Sequence, residues 1–186
     1  MTVPTELDRR FRDAAVRAEL LDAAYDVIES ELGPLLVAVT DRGLARITYD
    51  ADPEQELERL ARIAGPRVLR ASRALDPARR ELDDYFAGRR RMFDLELDLR
   101  GQAPFAVAVL GELAKVPYGH TATYGELAAR AGNPRAARAV GMVMNRNPVP
   151  IVLPCHRIVG ASGGLVGYGG GLERKEKLLR LEGAML

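Results

Sequence analysis

The chain has 186 residues, no tryptophan and a single cysteine, with 27 Lys and Arg against 26 Asp and Glu. One cysteine excludes an intrachain disulfide and cysteine-built zinc clusters, and only two histidines, His120 and His156, exclude a histidine-rich metal site. The net charge of +1 hides an uneven distribution: residues 1–100 carry 17 Lys and Arg against 21 Asp and Glu, residues 101–186 carry 10 against 5. That leaves open either a polyanion partner for the C-terminal half or plain variation between two faces.

Residues from about Thr5 to Leu20 read as an amphipathic helix, with Phe11, Ala14, Ala15, Ala18 and Leu21 at helical spacing. Three short strands follow, "YDVIES", "PLLVAVT" and "LARITYD", separated by the turn signals "ELG" and "DRG", and they predict an antiparallel meander. "PEQELERLARIAG" is helical, with Pro53 in its first turn and Gly65 as its stop. "DPARRELDDYFAG" is a second helix, capped by Asp76 and ended by Gly88. "MFDLELDL" alternates, Phe93, Leu95, Leu97 and Leu99 against Asp94, Glu96 and Asp98, and predicts a half-buried strand.

"RGQAP" breaks that pattern, which sets an N-terminal domain over 1–99, a linker over 100–104 and a C-terminal domain over 105–186. The second domain is mostly helical. "PFAVAVLGELAKV" puts Phe105, Val109 and Leu113 on one face, and "VPYGH" ends it. "TYGELAARAG" is a short helix stopped by Gly132, after which Asn133 and Pro134 cap and open "RAARAVGMVMNR". Two short helices across a tight turn read as a helix-turn-helix. "LERKEKLLRLEG" is the last helix. No apolar run is long enough for a membrane span, and "MTVPTELDRRFRD" lacks a signal-peptide core, so a cytoplasmic protein without membrane attachment is expected.

The second helix of the pair sets Arg135 and Arg138 among Ala136, Ala137, Ala139 and Gly141. Small residues allow either tight packing on a neighbouring helix or close approach to DNA. Gly141 costs about 1 kcal/mol of helix propensity relative to Ala, so a local contact must justify it. A lone cysteine is commonly a small buried hydrophobe. Here Pro154, His156 and Arg157 flank Cys155 at a bend, and a neighbouring base and cation favour the nucleophilic thiolate. Glu182 orients His156 if the last helix folds back, the logic of a triad with cysteine as nucleophile. The glycines from 160 to 171 fit no phosphate loop; they leave room for a ligand, with Tyr168 as the wall of a flat pocket.

"LPCHRIV" resembles the Pro-Cys-His-Arg motif of the O6-alkylguanine-DNA alkyltransferases, the methylated-DNA–protein-cysteine methyltransferases. The resemblance runs through "VPYGHTATYGELAARAGNPRAARAVG", "NPVPIVLPCHRIV" and "GYGGGLERKEKLLRLEG", covering 104–186, and is weaker in "GPLLVAVTDRGL" and "LDDYFAGRRRMFDLELDL". It implies an α+β protein: a small antiparallel sheet with helices, ribonuclease H-like, followed by a winged-helix-like domain with a helix-turn-helix. It implies a monomer that binds duplex DNA containing O6-alkylguanine from the minor groove, flips the base and transfers the alkyl group irreversibly to cysteine, once per molecule. O4-alkylthymine is left open as a second substrate. No cofactor is implied, and the family's zinc-binding form needs cysteines absent here.

By position, the resemblance makes Cys155 the acceptor, His156 the base acting through a water, Glu182 its holder and Asn147 the residue steadying the turn. Arg138 fills the space left by the flipped base, and Tyr124 crowds the phosphate. Arg135 joins the DNA contacts, and Ala137, Ala139 and Gly141 admit the groove. Met144, Pro150 and Tyr168 line the pocket, with backbone contacts near Cys155, Ile158 and Gly169. Two positions depart from the family: Leu110 replaces a common tryptophan, and Val166 replaces a small residue, which narrows the pocket against bulky alkyl groups. Three other classes fit less well. An alkyltransferase-like damage binder lacks the cysteine, a Cys-His hydrolase needs an oxyanion site, and a transcription factor needs a helix suited to reading base edges.

Overall fold

The computed structural model describes residues 5–50 and 52–185. Its contacts divide the chain into two units, one running to residue 83 and including 94–100, the other comprising 84–93 and 101–186.

In the first unit, α1 (Thr5–Arg17) precedes β1 (Ala23–Ile28), β2 (Leu35–Thr40) and β3 (Gly43–Tyr49), and α2 (Pro53–Ala64) leads to β4 (Val68–Arg70). The sheet order is β3-β2-β1-β4. The first three strands form the expected meander, but β4 lies parallel to β1, so the sheet is mixed and not purely antiparallel. "VLR" escapes a reading by pattern because three residues are too few to show alternation. β2 is central, and Leu35, Leu36, Val37 and Ala38 are buried in succession because both sheet faces are covered. α2 lays Leu60 and Leu57 on Ala38, Ala45 and Tyr25. It begins at an Asp52 cap that accepts from the Glu54 amide, with Pro53 in the first turn.

Three expectations for this unit are corrected. On α1, Phe11 is 64% exposed and only Ala15 of the proposed apolar face is buried, because the inner side is polar: Arg12 reaches the Arg70 carbonyl and Asp13 pairs with Arg73. Asp76 does not cap α3 (Asp76–Phe86); it is already helical, and a 3-10 turn over Ser72–Leu75 runs straight into the helix. "MFDLELDL" forms one parallel bridge, Leu44 to Leu97, in place of a strand. Its alternation stops at Asp98, which is buried by Thr40 and Arg100 where the pattern puts it in solvent. The Glu96 carbonyl there approaches so closely that a Cβ on Gly43, at φ +120°, would overlap it.

In the second unit, α4 (Pro104–Ala114), α5 (Tyr124–Arg130), α6 (Ala137–Asn145) and α7 (Leu172–Leu181) enclose a core of Val109, Leu110, Leu113, Leu127, Val140, Val149, Ile151, Leu178 and Leu179. Thr123 and Glu126 form a reciprocal capping box that fixes the start of α5. Two short parallel strands, β5 (Ala122–Thr123) and β6 (Ile158–Val159), tie that start to the segment after the cysteine. α5 and α6 are the helix-turn-helix pair, but α6 starts three residues later than expected. Asn133 and Pro134 lie in the turn, Ala136 stands at the N-cap without a side-chain bond, and Arg135 is off the helix.

Candidate functional site around Cys155

The cysteine is carried on a loop that the backbone does not adopt freely. After α6, Asn147 accepts from the Val149 amide through Oδ1 at 3.1 Å and donates through Nδ2 to the Leu153 carbonyl at 2.7 Å. Between those clamps Ile151 is fully buried at φ +77°, a left-handed conformation that a β-branched residue adopts only when its surroundings impose it. The chain then closes into a 3-10 turn, Cys155–Arg157, with all three residues buried. The Asn147 amide also donates to the Cys155 sulfur at 3.1 Å. Burial pushes the thiol up to about 11, while Asn147 and the charge of Lys175 pull the other way.

His156 is fully buried, and its Nε2 lies 3.0 Å from Glu182 Oε1. Burial holds its pKa below the usual histidine value, against the opposing pull of Glu182. With a carboxylate at Nε2, the ring proton sits on that nitrogen and Nδ1 keeps its lone pair. Nδ1 is buried and has no hydrogen-bond partner among the described residues. Glu182 caps the C-terminus of α7, so the last helix does fold back onto the cysteine turn.

Glu182 is heavily bonded. Arg157 donates from Nε to Oε2 and from Nη2 to Oε1, both at 2.8 Å; Tyr85 donates to Oε1 at 2.7 Å, and the Gly119 amide lies 3.4 Å from Oε2. Burial alone would raise this carboxyl, yet the His156 and Arg157 bonds hold it at about 2. The third face of the Arg157 fork is satisfied by the Val116 carbonyl at 2.6 Å.

Lys175 and Tyr85 are residues of this site absent from the expectations drawn from sequence, and Lys175 is the one with a signal there. It is fully buried on α7, and Nζ donates to the Ile158 carbonyl at 2.5 Å and the Val166 carbonyl at 3.0 Å. The signal for it is spacing: Lys175, Leu178, Leu179 and Glu182 follow the i, i+3, i+4, i+7 stripe of one buried face. Tyr85 has no comparable signal, being 97 residues from its partner.

The Val166 carbonyl also lies 3.4 Å from the Tyr124 hydroxyl, which is 3.5 Å from the Gly167 carbonyl. The Tyr124 ring lies against α6 at Gly141, where a Cβ would sit 3.9 Å from the ring. That is ordinary van der Waals contact, so the ring does not account for the helical glycine. The Val166 side chain sits over Gly160, where a Cβ would lie 3.5 Å away. Of the other residues singled out, Met144, Pro150 and Ile158 are buried, Tyr168, Ala137 and Ala139 are half-buried, and Gly169, Arg138 and Arg135 are exposed. Leu110 is buried in the core. Among the described residues no group of three or more His, Cys, Asp or Glu side chains could hold a metal ion, and no helix is long and apolar enough to cross a membrane.

The fold and site define a helix-turn-helix protein that keeps one clamped thiol beside a buried histidine–carboxylate pair. Comparison with known proteins names the class. Residues 104–184 match the 6-O-methylguanine DNA methyltransferase DNA-binding domain, and residues 23–99 match the ribonuclease-like domain of the same family. A methylated-DNA–protein-cysteine methyltransferase of Methanosarcina acetivorans is 41% identical over 86% of this chain and 98% of its own length. One from Mycolicibacterium paratuberculosis is 45% identical over 85% of this chain and 91% of its own. The crystal structure of Mycobacterium tuberculosis OGT in complex with DNA is 40% identical, superposes with a TM-score of 0.74, and covers 87% of this chain and 93% of that one. The chain belongs to the 6-O-methylguanine DNA methyltransferase family.

Proposed function

We propose that the protein repairs DNA by direct reversal, moving the alkyl group of O6-alkylguanine to Cys155 in one irreversible step. The observation that carries this reading is the buried His156, the residue next to a clamped thiol: its Nε2 is held by Glu182 while Nδ1 keeps an open lone pair. The thiol proton passes toward Nδ1 through a water. The sulfur attacks the alkyl carbon, so that the S–C bond forms as the C–O6 bond breaks. The electron pair goes to O6, and guanine N1 takes up a proton. A thioether is no leaving group under these conditions, so each molecule acts once.

In this reading the duplex is bound from the minor groove by α5 and α6, and the target guanine is turned out of the stack. The exposed Arg138 takes the space it leaves, with Arg135 on the neighbouring turn, and Tyr124 crowds the phosphate. Met144, Pro150, Ile158, Tyr168 and Gly169 bound the base. Every one of these residues lies in the second unit of a single chain, which supports action as a monomer. We place that action in the cytoplasm, where the proposed DNA substrate is within reach. The domain limits 1–99 and 105–186 are proposed as the functional division, consistent with the spans the two family profiles match.

The test is to incubate the protein with duplex DNA carrying O6-methylguanine and weigh it intact. A gain of about 14 Da on Cys155, saturating at one per molecule, is the expected result for single-use transfer. Tight binding of the DNA with no change in mass would overturn it. Cys155→Ser should bind and not transfer.

A further inference from the structure

Glu182 Oε1 is shared by three donors: His156 Nε2, Arg157 Nη2 and the Tyr85 hydroxyl. Arg157 is the counter-ion, and His156 is the group to be held. Tyr85 is neither. It is fully buried at the end of α3, packed edge-on to Phe86 and Tyr118 and tilted against Phe93. A buried hydroxyl needs a partner, and this one is spent on the oxygen that holds the histidine, at the shortest distance of the three.

We infer that Tyr85 is a positioning residue that limits how strongly Glu182 holds His156, and so sets how readily His156 accepts the thiol proton. The inference rests on the reading of His156 as the base. Donors to one carboxylate oxygen compete for its electron density. Removing the neutral Tyr85 donor strengthens the remaining bond from Nε2–H, stabilises the imidazolium form and makes Nδ1 a stronger base. The other charged and titratable groups around the imidazole are Glu182 itself, Arg157 on the same turn, Lys175 on α7 and the Cys155 thiol. Tyr118, with the Arg91 guanidinium 5.6 Å from its ring centre, lies beyond Glu182. Of these groups, Glu182 is the one that accepts from the Tyr85 hydroxyl, so the change acts through its carboxylate.

The test uses the full chain with two replacements at position 85 that act in opposite directions. Tyr85→Phe removes the donor, and site-specific 3-fluorotyrosine makes it a stronger one. The readout is the proton resonance of His156 Nε2–H in DNA-free protein, which is simple to assign because the only other histidine, His120, is exposed. Tyr85→Phe should move it downfield and fluorotyrosine upfield. In methyl transfer, the acidic limb of the rate profile should move up by about half a pH unit in Tyr85→Phe and down in the fluorinated protein. Resonances that stay put, or move the same way in both, overturn the inference, as does a rate scaled down equally at every pH. Should Tyr85→Phe fail to fold, fluorotyrosine alone decides. A wild-type protein that transfers no methyl overturns the proposed reaction instead, and the resonances still judge Tyr85.

Discussion

The Asn147 side-chain amide donates both to the Cys155 sulfur, at 3.1 Å, and to the Leu153 carbonyl, at 2.7 Å. One amide group therefore fixes the loop and supports the thiolate that transfer requires. Asn147→Asp keeps the Val149 contact in shape but turns a donor into an anion beside the sulfur. The thiol, already pushed up to about 11, should rise further. Single-turnover transfer should fall by at least about tenfold, the effect of one pKa unit on the reactive form. Asn147→Ala takes the partner of the Val149 amide and one of the two donors to the Leu153 carbonyl, which the Cys155 amide still bonds, and should cost about 2 kcal/mol in denaturant melts. An Asp variant with wild-type rate would remove Asn147 from the proposed chemistry.

Glu182 and Arg157 form a buried, two-pronged ion pair. Glu182→Gln strands the guanidinium in the core, at a cost of about 3–5 kcal/mol, far more than any gain the intact pair gives over an apolar replacement. Double-mutant cycles with Arg157→Met should show strong coupling, the double variant being more stable than Glu182→Gln alone. Additive losses in those melts would mean that the two side chains do not act as a pair.

How far the site is legible from sequence depends on distance along the chain. Cys155 and His156 are adjacent, and Glu182 shares a helical stripe with Leu178 and Leu179, so local pattern brings them forward. The strands β1 to β3 are legible because alternation or an apolar run marks each one. Lys175 is hidden by its type, since lysine on a charged helix reads as solvated; only its place on the buried stripe says otherwise. Tyr85 is set by tertiary packing across 97 residues. The α1 face misleads because periodicity reports where apolar residues lie and not which side meets the protein. There Arg12 and Asp13 make the contacts and Phe11 stays outside.

Lys175 anchors the carbonyls of Ile158 and Val166 and is the cation acting on the Cys155 thiol. Burial pulls its own pKa down. Lys175→Met keeps the volume and loses both the charge and the two bonds. The thiol should become harder to ionise, and transfer at neutral pH should slow by about tenfold or more, in line with loss of a cation near a reactive cysteine. Raising the pH should recover part of the rate. A loss that is the same at every pH would assign Lys175 to loop anchoring alone.

Tyr124 separates a ring effect from a hydroxyl effect. Its hydroxyl reaches the Val166 and Gly167 carbonyls only at 3.4 and 3.5 Å, the weak end of hydrogen bonding, whereas its ring lies on Gly141. Tyr124→Phe should therefore change transfer on duplex DNA by less than about threefold, less than one ordinary hydrogen bond contributes. Tyr124→Ala removes the crowding surface and should slow transfer on the duplex much more than on the free modified base. Arg138→Ala should show the same split. Equal losses on duplex and free base would place both residues outside base flipping.

The acid sensitivity of the fold follows from the same buried cluster. Glu182 is held at about 2 in the folded protein against an ordinary 4.5. Its contribution to stability is therefore complete above the unfolded value and is lost as the pH falls through the folded one. His156 is held below its ordinary 6.5 by burial. An unfolded chain then takes up that proton first, and stability falls as the pH drops below 6.5. Asp26 and Asp98 are also lowered: burial opposes the shift, but hydrogen bonds from Arg70 and Ser72 to the first, and from Arg100 and Thr40 to the second, prevail. All four groups push the same way, so the unfolded state binds more protons throughout the acid range. Thermal melts should give a Tm that begins to fall below about pH 6.5 and drops more steeply below about pH 4.5, where the carboxylates join the histidine. His156→Gln should flatten the first part of that decline and leave the second in place. A Tm independent of pH between about 7 and 4 would mean that the cluster is not buried as a charged unit in solution.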